Sequence, residues 1–263
     1  MQETGLLSGR HVLITGAGGG IGAAIAACFA AAGARITLAG RRRAPLDETA
    51  ALLPDGAGCI VEGFDVTDPD AIAAGVARAR EKFGRVDVLV NNAGEAPSAP
   101  FERTDLAQWS QVLSVDLTGV FLVTQATLPD LRARGEGARI INIASTAGLK
   151  GYPYVAAYCA AKHGVVGLTR ALALELAKTG ITVNAICPGF TDTPLVERSI
   201  ELIVTKTGRS PAAARAELAR NNPQGRLVEP REVANAALWL ASPGAQSITG
   251  QALPVAGGEV MAG

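Results

Sequence analysis

The sequence has no excess of charge of either sign. Its 263 residues contain 24 Lys and Arg and 24 Asp and Glu, so the formal net charge is +0. Proteins that hold nucleic acid or an anionic membrane by electrostatics carry a basic patch or stripe. We therefore expect neither partner, and any recognition of phosphate must be local.

Cysteine is scarce, and no targeting or membrane segment is evident. The sequence contains no C-x-x-C pair, and its cysteines are the widely spaced Cys28, Cys59, Cys159 and Cys187. We expect reduced thiols in the core and no metal site. The first residues lack a basic segment followed by an apolar run, and no later stretch free of polar residues approaches the length of a membrane span. These features favour a cytoplasmic protein with no membrane partner.

Short apolar runs alternate with longer Ala- and Leu-rich segments. The runs are typical of buried strands and are His11–Thr15, Arg35–Ala39, Cys59–Phe64, Val86–Asn91, Ala138–Ile143, Thr182–Ile186 and Ala252–Val255. The longer segments predict helices and include Ile21–Ala32, Ala71–Phe83, Leu106–Leu131, Ala156–Lys178 and Glu232–Ala241. This alternation predicts a single α/β domain over residues 1–263, a doubly wound, seven-stranded parallel sheet with helices on both faces.

The alternation breaks between Phe190 and Gln224. Three prolines interrupt this stretch, at Pro194, Pro211 and Pro223. The stretch has mixed charges and shows no strand pattern. Because an insertion of this length near a sheet edge is more often a functional lid than a packing element, we predict a substrate lid near residues 190–225.

A glycine-rich turn joins the first predicted strand to the first predicted helix. Glycine lets the backbone approach a pyrophosphate closely, and a helix N-terminus offers unpaired N–H groups and a positive dipole end. Glycines alone often mean only a flexible turn, but this placement favours a dinucleotide site. The candidate residues are Gly16, Gly18, Gly19, Gly20, Ile21 and Gly22.

The end of the second predicted strand indicates which dinucleotide binds. An acidic residue there binds the adenosine ribose hydroxyls, whereas a basic one accommodates a 2′-phosphate. This sequence has Arg41, Arg42 and Arg43 and no acid at the strand end. Guanidinium groups suit phosphate, so NADP(H) is favoured, with Arg41 the first candidate and Arg42 the second. The alternative is that all three arginines are solvated and NAD(H) binds.

A tyrosine, a lysine and a serine are candidates for acid–base chemistry. Tyr158 and Lys162 lie one turn apart on a predicted helix, so their side chains can share a site. A nearby ammonium favours the phenolate and lowers a tyrosine pKa towards a useful range. Ser145 follows a strand that ends where open α/β sheets bind ligands. The pattern Tyr-x-x-x-Lys alone would usually mean an ordinary amphipathic helix.

Several signatures appear together in one order along the chain. They are Thr15-Gly16-x-x-x-Gly20-Ile21-Gly22, Asp65-Val66, Asn91-Asn92-Ala93-Gly94, Ser145, Tyr158-x-x-x-Lys162 and Pro188-Gly189. From about Gly9 to Gly258 the chain resembles the short-chain dehydrogenase/reductase family, and the resemblance is closest to ketoreductases of 3-oxoacyl thioesters and polyketide chains. The resemblance implies a Rossmann-like fold and an enzyme that interconverts a ketone and a secondary alcohol with a nicotinamide cofactor.

The resemblance also implies a role for each matched residue. Tyr158 would exchange the proton with the substrate oxygen, Ser145 would hydrogen-bond that oxygen, and Lys162 would bind the nicotinamide ribose. The other cofactor contacts implied are Asp65, Val66, Asn92, Ala93, Gly94, Pro188, Gly189, Thr191 and Thr193. Asp65 as a strand-end cap and Pro188-Gly189 as a plain turn are the structural alternatives.

One position departs from the family pattern. The fourth catalytic position, usually asparagine, aligns with Asp116. An ionised aspartate accepts hydrogen bonds but cannot donate one as the amide does. We expect an altered proton relay and not an inactive protein.

The substrate is less defined than the reaction. A 3-oxoacyl or 3-hydroxyacyl thioester is the first hypothesis, carried on coenzyme A or a carrier protein. Residues expected to frame it are Lys150, Tyr152 and Tyr154, with Lys206 and Arg209 either attracting its phosphate or merely solvated. The alternatives are an NAD-dependent dehydrogenase of a free cyclic or aromatic alcohol and a catalytically silent nucleotide-binding regulatory protein. A methyltransferase is contradicted by Tyr-x-x-x-Lys.

The family resemblance extends to assembly. Residues Ile248–Gly258 resemble the family's last strand and turn, which commonly pack at subunit interfaces. Together with the helices Leu106–Leu131 and Ala156–Lys178, they predict a homotetramer, with a dimer as the alternative. The tail Glu259–Gly263 either reaches a neighbouring active site or frays.

Overall fold

The computed structural model describes residues 5–261 and is built around one parallel sheet. The strands are β1 His11–Thr15, β2 Arg35–Gly40, β3 Gly58–Glu62, β4 Val88–Asn91, β5 Arg139–Ile143, β6 Thr182–Pro188 and β7 Ala252–Val255. Within the described residues they form a seven-stranded sheet of order β3-β2-β1-β4-β5-β6-β7, with every neighbouring pair parallel. The predicted fold class and strand number are confirmed.

Helices cover both faces of this sheet. They are α1 Gly20–Ala31, α2 Arg43–Ala50, α3 Pro69–Phe83, α4 Leu106–Leu113, α5 Gly119–Arg134, α6 Ala156–Leu176, α7 Pro194–Thr207, α8 Pro211–Ala219 and α9 Pro230–Ala241. One apolar cluster packs α1 and α9 against the sheet through Phe29 and Val233. A second packs α3 and α5 against the opposite face through Val76 and Val123. Because helices bury both faces of these parallel strands, the strand sequences are continuous apolar runs.

Local signals set the helix boundaries. The Asp68 carboxylate accepts hydrogen bonds from the N–H groups of Asp70 and Ala71, and Pro69 is the first helical residue of α3. Both features are favourable at a helix start. A left-handed Gly180, with φ 79°, ends the turn that extends α6. The segment 190–225, predicted as a lid, contains the helices α7 and α8.

The helical stretch Leu106–Arg134, of 29 residues, is long and apolar enough by length and composition to cross a membrane. Its inner polar side chains lie against protein, since Asp116, Thr124 and Thr127 are all buried. Asn91 Nδ2 on β4 donates to Thr124 Oγ1 over 3.0 Å. A buried polar face that bonds to a sheet is typical of a core helix in a globular protein.

The prediction of core thiols is correct for one cysteine. Cys187, on β6, is buried, and its burial raises its pKa to about 11. Cys28, Cys59 and Cys159 are only half-buried, because each lies where a helix or an outer strand meets solvent. For these three the expected core position was wrong.

The strand order reverses direction between β1 and β4. Chain connections lead outwards on either side of this point, which leaves a crevice at the carboxyl ends of the two strands. Open α/β sheets bind their ligands at such a switch point. The glycine turn and Asn92 both follow these strand ends.

Candidate active site

The glycine turn after β1 leaves no room for a side chain at Gly16, Gly18 or Gly22. Gly16 has φ 63°, and a Cβ there would lie 2.8 Å from Ala93 Cα. A Cβ on Gly22 would lie 2.5 Å from the Gly16 carbonyl oxygen, and one on Gly18 would lie 2.8 Å from Pro45 Cβ. Gly19 at the N-cap of α1 has no side chain to bond the first N–H groups, and the first turn holds no acid, so these groups are able to bind an anion.

Hydrogen bonds fasten this turn to the loop after β4. Thr15 Oγ1 accepts from the N–H groups of Asn92 and Ala93 over 3.0 and 3.1 Å. Asn92 Nδ2 donates to the carbonyl oxygens of Thr15 and Gly16 over 3.0 and 3.1 Å. The two loops that flank the crevice therefore form one rigid rim. The Asn92 side chain thus supports the glycine turn. Gly94, in the same loop, lies close to Asp116 and Lys162.

The three arginines after β2 differ in their surroundings. Arg43 pairs with Asp47 over 2.8 Å and lies 3.9 Å from Glu62. Arg41 and Arg42 form no ion pair among the described residues and are exposed. Two guanidinium groups thus remain available beside the crevice, as the preference for Arg41 and Arg42 over Arg43 requires.

Asp65 and Val66 follow β3. Asp65 Oδ1 accepts from the Thr67 N–H over 2.9 Å and from the Thr67 hydroxyl over 2.7 Å. The Thr67 backbone bond, together with the charge of Arg41, lowers the pKa of Asp65. Asp65 therefore forms the hydrogen bonds expected of a strand-end cap. Val66 is buried against Gly119, where a Cβ would come within 2.8 Å of Val66 Cγ2.

Ser145, Tyr158 and Lys162 meet at the carboxyl end of β5. Ser145 starts a short turn and its Oγ accepts from the Ala147 N–H over 3.1 Å. The Ser145 side chain also lies close to the Tyr158 hydroxyl, and its effect there is to lower the pKa of Tyr158. Lys162 Nζ donates to the Ile143 carbonyl over 3.1 Å and lies 5.5 Å from the centre of the Tyr158 ring. The structure therefore brings the three predicted residues together.

Asp116 joins this group through a π-helical turn, Ser114–Thr118, between α4 and α5. Its Oδ1 accepts from the Glu95 N–H over 2.9 Å, and its Oδ2 lies 3.2 Å from Lys162 Nζ. Burial raises the pKa of Asp116, while Lys162 acts in the opposite direction. Burial lowers the pKa of Lys162, but the neighbouring Asp116 and Tyr158 outweigh burial, so the pKa of Lys162 is raised. Lys162 therefore stays cationic between two acids.

The expected lowering of the tyrosine pKa is outweighed. Burial raises the pKa of Tyr158, the Lys162 ammonium lowers it, and the Asp116 carboxylate raises it again. The net direction is upwards. Sequence reasoning considered Lys162 alone, whereas the structure adds burial and a buried carboxylate that shares the same ammonium.

The segment after β6 meets the glycine turn. A Cβ on Gly20 would lie 3.1 Å from Thr193 Cγ2, so the two segments are in close contact. Thr191 is buried and donates to the Gly189 carbonyl over 2.9 Å, and Thr193 donates to the Thr191 carbonyl over 3.2 Å. Both hydroxyls are used in the local turn, and their oxygens remain able to accept.

The residues expected around the substrate separate into two groups. Lys150 and Tyr152 face Glu259, which sequence reasoning assigned only to a tail. Tyr154 is 62% exposed and has φ 68°, so it lies at the outer edge. On the lid, Arg209 pairs with Glu217 over 3.5 Å, which leaves it less available for a ligand phosphate than expected.

No cluster of three or more potential metal ligands exists among residues 5–261. The groups of the site that can exchange protons or hydrogen bonds are those of Ser145, Tyr158, Lys162 and Asp116. A tyrosine hydroxyl beside a serine hydroxyl and an ammonium can deliver or accept one proton at a substrate oxygen. The adjoining glycine turn can hold a phosphate-bearing cofactor.

Comparison with known proteins agrees with this geometry. A protein-family model described as enoyl-(acyl carrier protein) reductase matches residues 16–259. The chain belongs to the short-chain dehydrogenase/reductase family. Like other members of the family, it is an oxidoreductase.

Three relatives of this short-chain dehydrogenase/reductase have informative names. A protein of Streptomyces violaceoruber that bears the name of a granaticin polyketide synthase ketoacyl reductase is 46% identical over 250 residues, 94% of this chain and 91% of the relative. The cis-4-hydroxycyclohexanecarboxylate dehydrogenase of Sinomonas cyclohexanicum is 42% identical over 250 residues, 95% and 96% of the two chains. The crystal structure of a single-substitution variant of actinorhodin polyketide ketoreductase with NADPH superposes with a TM-score of 0.88, at 40% identity over 98% of each chain.

Proposed function

We propose that this protein is an NADPH-dependent ketoreductase that reduces the 3-oxo group of an acyl thioester and catalyses the reverse oxidation. The observation that carries the proposal is the grouping of Ser145, Tyr158 and Lys162 at the carboxyl end of β5, beside a glycine turn at the sheet switch point. The similarity to a ketoacyl reductase supports the thioester substrate.

The residues of the crevice fit a dinucleotide. Close packing at Gly16, Gly18 and Gly22 leaves the backbone bare for a pyrophosphate. Arg41 and Arg42 suit a 2′-phosphate, and the similarity to a ketoreductase with NADPH supports the same choice. The other contacts of the bound cofactor would be Gly19, Gly20, Ile21, Asp65, Val66, Asn92, Ala93, Gly94, Pro188, Gly189, Thr191 and Thr193. Bound nicotinamide would supply the hydride.

The protein itself would handle the proton. In reduction, Tyr158 donates its hydroxyl proton to the carbonyl oxygen, and Ser145 hydrogen-bonds the same oxygen. In oxidation, Tyr158 accepts the proton from the alcohol. Lys162 holds the nicotinamide ribose and stabilises the phenolate, and Asp116 moderates the charge of Lys162.

A second candidate function is an NAD-dependent dehydrogenase of a free cyclic secondary alcohol. Its support is the similarity to a hydroxycyclohexanecarboxylate dehydrogenase. The two candidates differ in substrate and cofactor, but they share Tyr158, Lys162 and Ser145. A catalytically silent nucleotide-binding protein would share only the cofactor site.

Initial rates separate these functions. Oxidation of NADPH and NADH is followed by absorbance with acetoacetyl-CoA or 4-methylcyclohexanone as substrate. We expect the highest kcat/KM for acetoacetyl-CoA with NADPH. Turnover of the cyclic ketone alone with NADH would establish the second function. Cofactor binding without turnover of either ketone would establish the silent protein.

We further propose that the chain acts as one domain in the cytoplasm and assembles as a homotetramer. Large apolar side chains are exposed on the helices expected at the interfaces, with Leu106, Phe121 and Leu174 exposed by 77%, 45% and 83%. Exposed apolar area of this kind is often covered by a second copy. Light scattering after size-exclusion chromatography is expected to give four times the chain mass, and a value of twice the chain mass would indicate the dimer.

A further inference from the structure

The turn after β7 carries a buried carboxylate to the substrate side of the site. The Glu259 side chain is only 1% exposed, and its Oε1 lies 3.2 Å from Lys150 Nζ. The same oxygen accepts a hydrogen bond from the Tyr152 hydroxyl. Burying a carboxylate is costly unless it is paired, so these two partners account for its position.

Tyr152 is held through its hydroxyl, which takes part in two hydrogen bonds, and through its ring. A phenol has one proton, and the carboxylate of Glu259 is the strongest acceptor near it. The Thr146 hydroxyl, 2.7 Å from the Tyr152 oxygen, is then the donor of that second hydrogen bond. The ring stands perpendicular to Phe190 with 5.9 Å between ring centres. Because Thr146 follows Ser145, the orientation of Tyr152 is tied to the reacting centre.

The other oxygen of Glu259 faces the segment after β6. Oε2 is buried and has no hydrogen-bond partner among the described residues. A Cβ on Gly189 would lie 2.9 Å from Oε2, so the carboxylate fills the space beside this glycine. Glu259 thus contacts both loops that border the substrate side, the one after β5 and the one after β6.

We propose that Glu259 is a positioning residue that sets substrate selectivity by fixing the wall formed by Tyr152 and Phe190. Two aromatic rings locked edge to face form an apolar corner of fixed shape beside the turn that begins at Ser145. Among free ketones, which lack the thioester and its carrier, such a wall favours one with a bulky ring system over a small acyclic one. The inference rests on the proposed function, since it needs a ketone substrate beside Ser145.

The test is the ratio of kcat/KM for 2-tetralone to kcat/KM for 2-butanone, both with NADPH. Glu259→Leu removes the acceptor with little change in volume, and Tyr152→Phe removes only the donor hydroxyl. Each is expected to lower the ratio by about tenfold, since freeing one buried hydrogen-bonded group changes binding on this scale. The double variant is expected to stay within about twofold of either single variant, because both changes break one interaction.

Two further variants separate positioning from stability. Glu259→Gln retains an oxygen acceptor and is expected to keep the ratio within about threefold of the wild type. Arg80→Leu breaks the ion pair with the buried Asp130, which also accepts from the Val86 N–H just before β4, at the end of the strands opposite the reacting centre. It is expected to lower Tm and leave the ratio unchanged.

Each result counts for or against one proposal. Wild-type protein that turns over neither acetoacetyl-CoA nor a free ketone contradicts the proposed function. Wild-type protein that reduces acetoacetyl-CoA but not 2-tetralone contradicts the role of Glu259. Active wild-type protein with an unchanged ratio in Tyr152→Phe and Glu259→Leu contradicts the role of Glu259 alone. If Glu259→Leu does not fold, an unchanged ratio in Tyr152→Phe is enough to overturn the inference.

Discussion

Asp116 Oδ2 lies 3.2 Å from Lys162 Nζ, and the two side chains are 0% and 4% exposed. The Lys162 ammonium of this buried pair is also the group that stabilises the Tyr158 phenolate. The π turn between α4 and α5 places Asp116 there, because the extra residue in that turn redirects its side chain towards Gly94 and Lys162. Each charge in the site therefore depends on the other two.

Replacing Asp116 with asparagine is expected to shift the pH dependence of alcohol oxidation to lower pH. The carboxylate raises the pKa of Tyr158, so its removal lets Lys162 act on the phenol alone and lowers that pKa. Oxidation needs the phenolate, and its rate rises as pH passes through the tyrosine pKa. A shift of about one pH unit corresponds to about 1.4 kcal/mol. The measurement is kcat/KM for the alcohol against pH.

Thr118→Val is the matched control for Asp116→Asn. Thr118 is exposed and lies in the same π turn, so its replacement disturbs the local backbone without touching the charges. Its pH profile is expected to match the wild type. A profile for Asp116→Asn that also matches the wild type would show that Asp116 has only a structural part.

The catalytic group was predictable because its members carry recognisable spacing. Tyr158 and Lys162 lie one helical turn apart, and Ser145 follows a strand, so the sequence places all three at one sheet edge. The π turn and the burial of Asp116 leave no such pattern. The net direction of the tyrosine pKa depends on the burial of Tyr158 and on Asp116, so the sequence predicted the lowering by Lys162 correctly but not the net rise.

Replacing Arg41 with alanine is expected to weaken NADP(H) binding more than NAD(H) binding. The guanidinium has no ion-pair partner among the described residues, so the loss falls on a ligand 2′-phosphate. A lost charge-assisted hydrogen bond costs about 1.5–3 kcal/mol, or about 10- to 100-fold in the NADP(H) dissociation constant. Titration of both cofactors by tryptophan or nicotinamide fluorescence measures the preference.

Arg43→Ala serves as the comparison for Arg41→Ala. Arg43 is committed to Asp47, and that exposed pair contributes little to stability. Its replacement is expected to leave the NADP(H) preference within about twofold of the wild type. An equal loss of both cofactors in Arg41→Ala would instead indicate that Arg41 supports the fold of the turn.

Two glycines of the same turn are expected to respond differently to alanine. A Cβ on Gly22 would lie 2.5 Å from the Gly16 oxygen and 2.6 Å from Asn92 Nδ2, whereas a Cβ on Gly19 would meet nothing within 4 Å. Gly22→Ala is therefore expected to lower both Tm and cofactor affinity, with a cost of about 1–3 kcal/mol from overpacking. Gly19→Ala is expected to leave Tm unchanged, because its Cβ meets no protein atom. Tm, measured on both variants, decides the matter, and equal losses of Tm would contradict the packing argument.

The helices that sequence reasoning missed each have a proline in the first turn. Segment Arg43–Ala50 begins with an arginine and has Pro45 in its first turn, which reads as a loop until its contact with β3 is known. The lid helices α7 and α8 each begin with proline, at Pro194 and Pro211, which serves equally as a helix start and as a breaker. Glu259 carries no motif, and only the folded C-terminal turn reveals its contacts.

Burial of His11 is expected to make the protein less stable as pH falls below about 6.5. The side chain is fully buried, with Nδ1 2.8 Å from the Gly84 carbonyl and Nε2 2.8 Å from Thr37 Oγ1. The neutral ring satisfies both contacts, since Nδ1–H donates to the carbonyl and Nε2 accepts from the hydroxyl. Burial lowers the pKa of His11 below its ordinary 6.5.

The sign of this pH effect follows from which state takes up the proton first. The unfolded chain binds a proton at about pH 6.5, whereas the folded chain resists it, so the free energy of unfolding decreases by up to about 1.4 kcal/mol per pH unit below that value. His11→Gln keeps one donor and one acceptor without a titrating group, and is expected to flatten the dependence of Tm on pH between about 7 and about 5. His163→Gln alters an exposed histidine and is expected to retain the wild-type slope. Identical slopes in all three proteins would assign the acid sensitivity to the carboxylates instead of His11.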